Sequence, residues 1–301
     1  MSITKRILAP ACLLPLLLIA PAAVAKVLPE AEIGIKIPLA DPSTSRPMTV
    51  AYMPTVSRYY IADGGLAAIP GDPSGAASRS EVHVYSEDGV RLQSARPGYD
   101  NRSIYFNPNT RQLETITYNV SSAAGFRPGM GIYALHVDEN GNLTEESSEI
   151  IGSNPAFGDA GTMPSYDPVT KRYYAKQERS NKVWVVDLAK REKVAEIALD
   201  LDAAGVKFNG ISDHYVAFTG IPGEELAVLD IDHEAVLVFD LDGKFVGKSV
   251  LPDHIKLHAQ NHYTGLGFTN GMMFVYQQRE GEFGTYYGFR ISDQKPSPAM
   301  P

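Results

Sequence analysis

One pattern recurs at a period of about fifty residues along this 301-residue chain, and it constrains the architecture more than any single segment does. Four stretches each join two β-prone runs across a tight polar turn: Glu81 to Leu92, Ile132 to Leu143, Lys182 to Val194 and Ala235 to Val246. Gly89, Gly141, Arg191 and Gly243 hold the equivalent turn position, spaced 52, 50 and 52 residues apart. Asp-Gly and Asn-Gly between β-branched and aromatic runs predict hairpins, because glycine supplies the positive φ that a tight turn between twisted strands requires. The run Asp138-Glu-Asn-Gly-Asn142 belongs with these turns. Its glycine comes too early for a calcium-binding loop.

Ahead of each hairpin lies a second recurring pair of strands, at Ala51 to Ala62, Ile104 to Thr115 and Ser165 to Lys176, with Pro54, Pro108 and Pro168 marking the turns. Looser copies follow at Gly210 to Gly220 with Leu226 to Asp232, and at Tyr263 to Gln278, where Asn270-Gly271 makes the turn. A unit of four short antiparallel strands cannot bury both of its faces alone and must stack against its neighbours around an axis. This is the blade of a β-propeller. Starts near residues 47, 102, 162, 210 and 262 predict an all-β, single-propeller domain over 26–301 with five blades. A sixth requires hidden strands in Asp200 to Asp213 or in the 62–80 connection. The fifth unit ends after its third strand, Gly284 to Ser292, and the stretch Glu32 to Leu39 is the spare strand expected to complete it and remove the open edge.

The run Asp167-Pro-Val-Thr-Lys-Arg-Tyr-Tyr174, followed by Lys182-Val-Trp-Val-Val-Asp187, resembles the blades of bacterial YVTN-type and NHL-type propellers, and the likeness covers nearly all of the chain after residue 25. The resemblance implies an architecture and no activity, since these propellers include lactonases, lyases, dehydrogenase subunits and plain binding scaffolds.

The N-terminus carries Lys5-Arg6, an apolar stretch from Ile7 to Ala20 broken by Pro10 and Pro15, and the small run Ala22-Ala-Val-Ala25. This order predicts a signal peptide over 1–25, removed after Ala25, and a periplasmic or secreted product with no membrane insertion after cleavage. The apolar core is too short and too proline-broken for a spanning helix. The single cysteine, Cys12, lies within it, so the expected mature chain forms no disulfide. Removal of Lys5 and Arg6 makes the formal net charge of −8 more negative by two units. No basic stripe stands out, which argues against nucleic acid as a partner.

Propellers meet ligands on the face formed by the loops leading into each innermost strand and those between second and third strands. The lead-in loops supply Tyr99, Asp100, Asn101 and Arg102; Asp159; Asp213 and His214; and His258, Asn261 and His262. These are the candidate lining of one axial polar pocket. His258, His262 and Asp159 are the candidate ligands of a divalent metal, the one cofactor considered, because imidazoles and carboxylates bind such ions and exchange protons near neutral pH. The helical zinc pattern H-E-x-x-H does not apply to His258 and His262. The bland alternative has each residue satisfying backbone groups where strands turn inward. His83, His136, His233 and His254 fall in strands or turns and read as structural.

Two functional readings stand. The leading one is an exported scaffold that holds a small polar ligand or a periplasmic protein on its axial loop face. The other is a metal-assisted, lactonase-like hydrolase or lyase. A glycosidase comes last: Asp41-Pro-Ser43 is similar to a run that opens some five-bladed glycosidase families, but no Glu is placed as the acid that such chemistry needs.

Overall fold

The expected hairpin turns set the strand order. Gly89, Gly141 and Gly243 take φ of 78°, 77° and 81°, and Arg191 adopts the same left-handed conformation at 56°. Asn270 and Gly271 at 51° and 69° give the doubly positive pair that matches the twist of a two-residue hairpin. The computed structural model describes residues 27–40, 46–64, 80–122, 125–126, 131–152, 157–159, 161–278 and 283–298. Residues 1–26, which include the expected signal, the Asp41-Pro-Ser run and residues 65–79 of the long connection lie outside the described residues.

The chain is all-β in successive antiparallel sheets of the propeller type. Strands β2 (Pro47–Met53), β3 (Arg58–Asp63), β4 (Glu81–Ser86) and β5 (Arg91–Ala95) form one sheet in chain order. The next holds β6 (Tyr99–Asn107), β7 (Gln112–Ser122), β9 (Gly131–Val137) and β10 (Leu143–Ile151), with the short β8 (Gly125–Phe126) paired on β7. A third contains β11 (Ser165–Asp167), β12 (Arg172–Lys176), β13 (Lys182–Asp187) and β14 (Glu192–Ala198). An eight-stranded sheet follows the order β15 (Ala217–Phe218), β16 (Leu226–Asp230), β17 (Ala235–Phe239), β18 (Phe245–Val250), β1 (Val27–Pro38), β21 (Thr285–Ser292), β20 (Met272–Gln277) and β19 (Leu266–Thr269). Within it β1 runs antiparallel to β21, with Ile33 opposite Phe289 and Ile37 opposite Tyr286, and touches β18 in parallel at Glu30 and Val250.

The first strands face one another. β2 packs against β6 and β19, β6 against β11, β11 against β15, and β15 against β19. Each is an edge strand whose outward N–H and C=O groups must be satisfied without a further strand. Hydroxyls from neighbouring sheets take part in this: Thr49 Oγ1 accepts from Ile104 N at 2.6 Å, Thr269 Oγ1 accepts from Tyr52 N at 2.9 Å, and Ser103 donates to Pro164 O at 3.1 Å. Burial follows the same logic. Every residue of β2 is buried, whereas the last strand β14 exposes Glu192, Lys193 and Glu196 and half-buries Val194 and Ile197.

A polar knot joins the second and third sheets through the apolar layer between them. Tyr105 donates to Glu114 Oε2 at 2.6 Å and shares a 2.8 Å hydrogen bond with Tyr173, while Asn107 and Thr110 donate to Glu114 Oε1. Burial pushes the Glu114 carboxyl above its ordinary pKa, against the pull of these donors.

Two expectations need correction. Tyr99 to Arg102, expected in a loop, are the opening residues of β6, because Tyr99 stacks on Tyr133 at 4.1 Å and carries the ladder outward to Ser122. His258 to His262, expected to pass from loop into strand, form a 3-10 turn over Ala259–His262. Between Asp200 and Asp213 there is one helical turn, α1 (Leu201–Ala204), and a 3-10 turn over Phe208–Gly210, where an extra blade needs strands. Asp200 caps α1 by accepting from Ala203 N, and Gly205 ends it in the left-handed conformation.

Candidate functional site

The cavity between the first strands is narrow. It is lined by Thr49, Ser103, Pro164, Tyr215 and Phe268 among others and holds about 40 Å³, room for a few waters and no more. More room lies at the lead-in loops. A cleft of about 300 Å³ is bounded by Arg179, Phe208, Asn209, Ile211, Asp213, His262 and Tyr263, drawn from the lead-in segments of β15 and β19 and the β12–β13 turn. Phe208 and Tyr263 are each 47% exposed, unusual for large aromatic rings, and both border this cleft.

Its wall is held by acidic side chains that accept backbone donors. Asp159 Oδ2 receives Glu178 N at 2.8 Å and Asp213 Oδ1 receives the next amide, Arg179 N, at 2.5 Å. Gln177 clasps the same turn, accepting from Asp159 N and donating to Phe157 O and Ala175 O. Beneath it the fully buried Lys176 donates to the carbonyls of Gln177 and Ser180, with Asp213 4.0 Å away. Burial pushes the Lys176 ammonium down to about 8, although Asp213, Asp159 and Glu178 pull the other way.

Gly161 fits between the Glu178 and His214 side chains. Glu178 Oε1 accepts its N–H at 2.7 Å, Arg102 donates to its carbonyl at 3.3 Å, and an added Cβ would stand 2.2 Å from Glu178 Oε1 and 2.5 Å from His214 Nε2. His214 lies 3.6 Å from Glu178 and under the ring of Tyr263. Burial lowers the His214 pKa, with Glu178 opposing.

Of the ten residues named from sequence, Asp159, Asp213, His214 and His262 gather around this cleft and its wall, with Arg102 reaching them through Gly161. His262 Nδ1 bonds to Ile211 O at 3.0 Å, and its carbonyl accepts Asp213 N. The others do not join them. Asn261 is buried, bonding to Tyr276 O and His258 N; Asn101 is buried in β6; Asp100 accepts from Ser80 Oγ at 3.2 Å; and His258 is exposed at the start of its turn. His258, His262 and Asp159 thus do not assemble as a metal-ligand group. Among the described residues that grouping occurs at Asp63, Glu81 and His83 instead, with donor atoms within 4.8 Å of one another.

Lys176, Glu178, Arg179, Phe208 and Tyr263 escaped the sequence reading. Glu178 and Arg179 sit in a turn between second and third strands, the very class of loop that faces ligands, but the turn is so short that only its position signals it. Tyr263 directly follows His262, and an aromatic there carries no pattern of its own.

No described helix is long and apolar enough to cross a membrane. No family model matches the sequence, and no curated protein does. Among solved structures the chain is similar to a periplasmic gluconolactonase of Pseudomonas aeruginosa, at 12% identity and a TM-score of 0.38 over 84% of this chain and 72% of that one. It is also similar to a glucose dehydrogenase, at 9% identity and a TM-score of 0.48 over 84% and 98%. TolB from Acinetobacter baumannii matches at 12% identity and a TM-score of 0.37, over 70% of this chain and under half, 46%, of that one. The propeller assignment rests on this chain's own repeats and strand contacts.

Proposed function

We propose that this chain is an exported five-bladed propeller, its last blade completed by β1, that binds a small polar ligand in the loop-face cleft beside Tyr263. The observation that carries the reading is the half-exposed pair Phe208 and Tyr263 bordering a cleft that also presents Arg179, Asn209 and Asp213. An exposed aromatic face costs free energy in water unless something covers it, and one side chain of this size contributes about 1.5–3 kcal/mol when fully buried. Paired with an amide, a guanidinium and a carboxylate, such rings suit a hydroxylated ring, whose apolar face stacks while its hydroxyls take hydrogen bonds. Arg179 favours a ligand that carries an acid group as well. Five blades agree with the five first strands that touch in turn, and export to the periplasm agrees with the signal-like N-terminus.

The proposal favours binding over hydrolysis at this cleft because its acids already serve the wall. Asp159 and Asp213 each hold a backbone amide of the β12–β13 turn, and His262 holds Ile211 O. Residues 26–301 should be titrated calorimetrically with neutral sugars, sugar acids and the matching lactones, in wild type and in Tyr263→Ala with Phe208→Ala. Saturable binding that weakens at least tenfold in the double variant is expected. Binding of equal strength in both proteins, or turnover of a lactone that depends on Asp213, would defeat the scaffold reading.

A further inference from the structure

We propose a second site, independent of the cleft: a divalent metal centre at the loop end of the first sheet, formed by Asp63, Glu81 and His83. Register brings the three together. Asp63 lies opposite Glu81 and Ile61 opposite His83 in the antiparallel β3–β4 pair. Directly opposed residues share a face, as do residues two apart, so Asp63, Glu81 and His83 all project on the same side.

The spacing is that of a coordination shell. His83 Nε2 stands 3.0 Å from Asp63 Oδ2, and a donor atom of Glu81 lies within 4.8 Å of both. Metal–ligand bonds of about 2.0–2.2 Å put neighbouring donors roughly 3 to 3.4 Å apart, so the Asp63–His83 edge needs almost no adjustment and the half-buried Glu81 only a rotation. Asp63 and His83 are buried, which fixes their rotamers.

The other ring nitrogen is also engaged, as a metal-bound imidazole requires. His83 Nδ1 lies 2.7 Å from Ser94 Oγ, which itself accepts from Arg91 at 3.1 Å. Without an ion, His83 Nε2 and Asp63 Oδ2 share a hydrogen bond at 3.0 Å, and a divalent cation would displace its proton while Nδ1–H to Ser94 Oγ holds the ring in the tautomer that ligates through Nε2. One imidazole and two carboxylates suit Zn²⁺ or Mn²⁺, and three protein ligands leave further positions open to water or substrate. Arg96, paired with Glu81 Oε1 at 3.0 Å, is largely solvent-exposed, so that contact competes weakly.

The test uses the chain from residue 26, stripped of metal and then titrated with ZnCl₂, MnCl₂ and CoCl₂. Calorimetry and elemental analysis should give one ion per chain, and Co²⁺ should develop a visible absorption band. Glu81→Gln, at a half-buried position, should keep its metal-free melting temperature while weakening the ion at least tenfold; His83→Ala should abolish the Co²⁺ band. The double variant His258→Ala with His262→Ala should bind as wild type does. No stoichiometric ion on the wild type, undiminished binding in Glu81→Gln, or loss of binding only in the His258/His262 variant would each overturn the assignment. The cleft titration with sugars is unaffected by any of these results, so the two proposals fail separately.

Discussion

Replacing Lys176 by Met removes the ammonium beneath the cleft wall and keeps most of the chain's volume. The folded protein holds Lys176 at about 8, whereas an unfolded lysine sits near its model value of 10.5. A gap of about 2.5 units is worth roughly 3 kcal/mol against the charged form at neutral pH. Between these values the unfolded chain keeps a proton that the folded chain has released, so wild-type stability rises with pH through that window and not below it. From pH 7 to 9.5 the gain is about 2 kcal/mol, which for a domain of this size shifts the melting temperature by roughly 3–4 °C. Lys176→Met lacks this dependence. At pH 7 it loses the donors to Gln177 O and Ser180 O, at about 1–3 kcal/mol each, offset in large part by removal of the buried charge. Thermal unfolding of both proteins at half-unit intervals should show them closest at pH 7 and diverging as pH rises. Measurement should stop at 9.5, because Tyr59, Tyr60 and Tyr174, pushed up to about 12, add an opposing trend once ordinary tyrosines ionise. A constant difference across the range would refute the claim that Lys176 is a desolvated cation held near Asp213, Asp159 and Glu178.

Glu114→Gln should behave in the opposite sense. The raised carboxyl holds its proton more tightly in the folded state than in the unfolded one, so wild-type stability falls as pH climbs above the ordinary carboxyl value, and the variant's melting temperature should improve relative to wild type as pH rises from there. Gly161→Ala places a methyl against Glu178 and His214 and should cost about 1–3 kcal/mol by overpacking, seen in denaturant unfolding and in weaker ligand binding at the cleft. Deleting residues 27–38 uncovers the β21 edge, and the shortened protein should elute as aggregate and be cut rapidly by protease, whereas the full chain resists.

The periodic features were readable because they depend on local chemistry. Gly89, Gly141 and Gly243 announce their turns through the conformation glycine allows, and the continuous apolar and aromatic runs of β3, β12 and β17 follow from burial on both faces. The two-residue β15 was harder to see: it pairs with β16 only at Ala217–Ala227 and Phe218–Leu226, too short a run to leave a pattern in sequence. Asp213 and His214 were found as polar residues in a lead-in loop, but their partners, Glu178 and Lys176, come from a different sheet, and only folding joins them. His83 shows the same limit. In sequence it is one more residue of a hairpin strand, and its importance arises from Asp63 across the 63–81 connection, a pairing set by strand register.

The pairing of β1 with β21 also bears on how this chain reaches its fold. Ile33 meets Phe289 only after nearly all of the polypeptide has been made, so the first strand waits longest for its partner. Contacts so distant in sequence close large loops and slow the final step of folding. Until then two edges stay uncovered, that of β18 at Val250 and that of β21, each able to recruit a foreign strand. The yield of a chain of this design should be governed by how long that last strand remains unpaired.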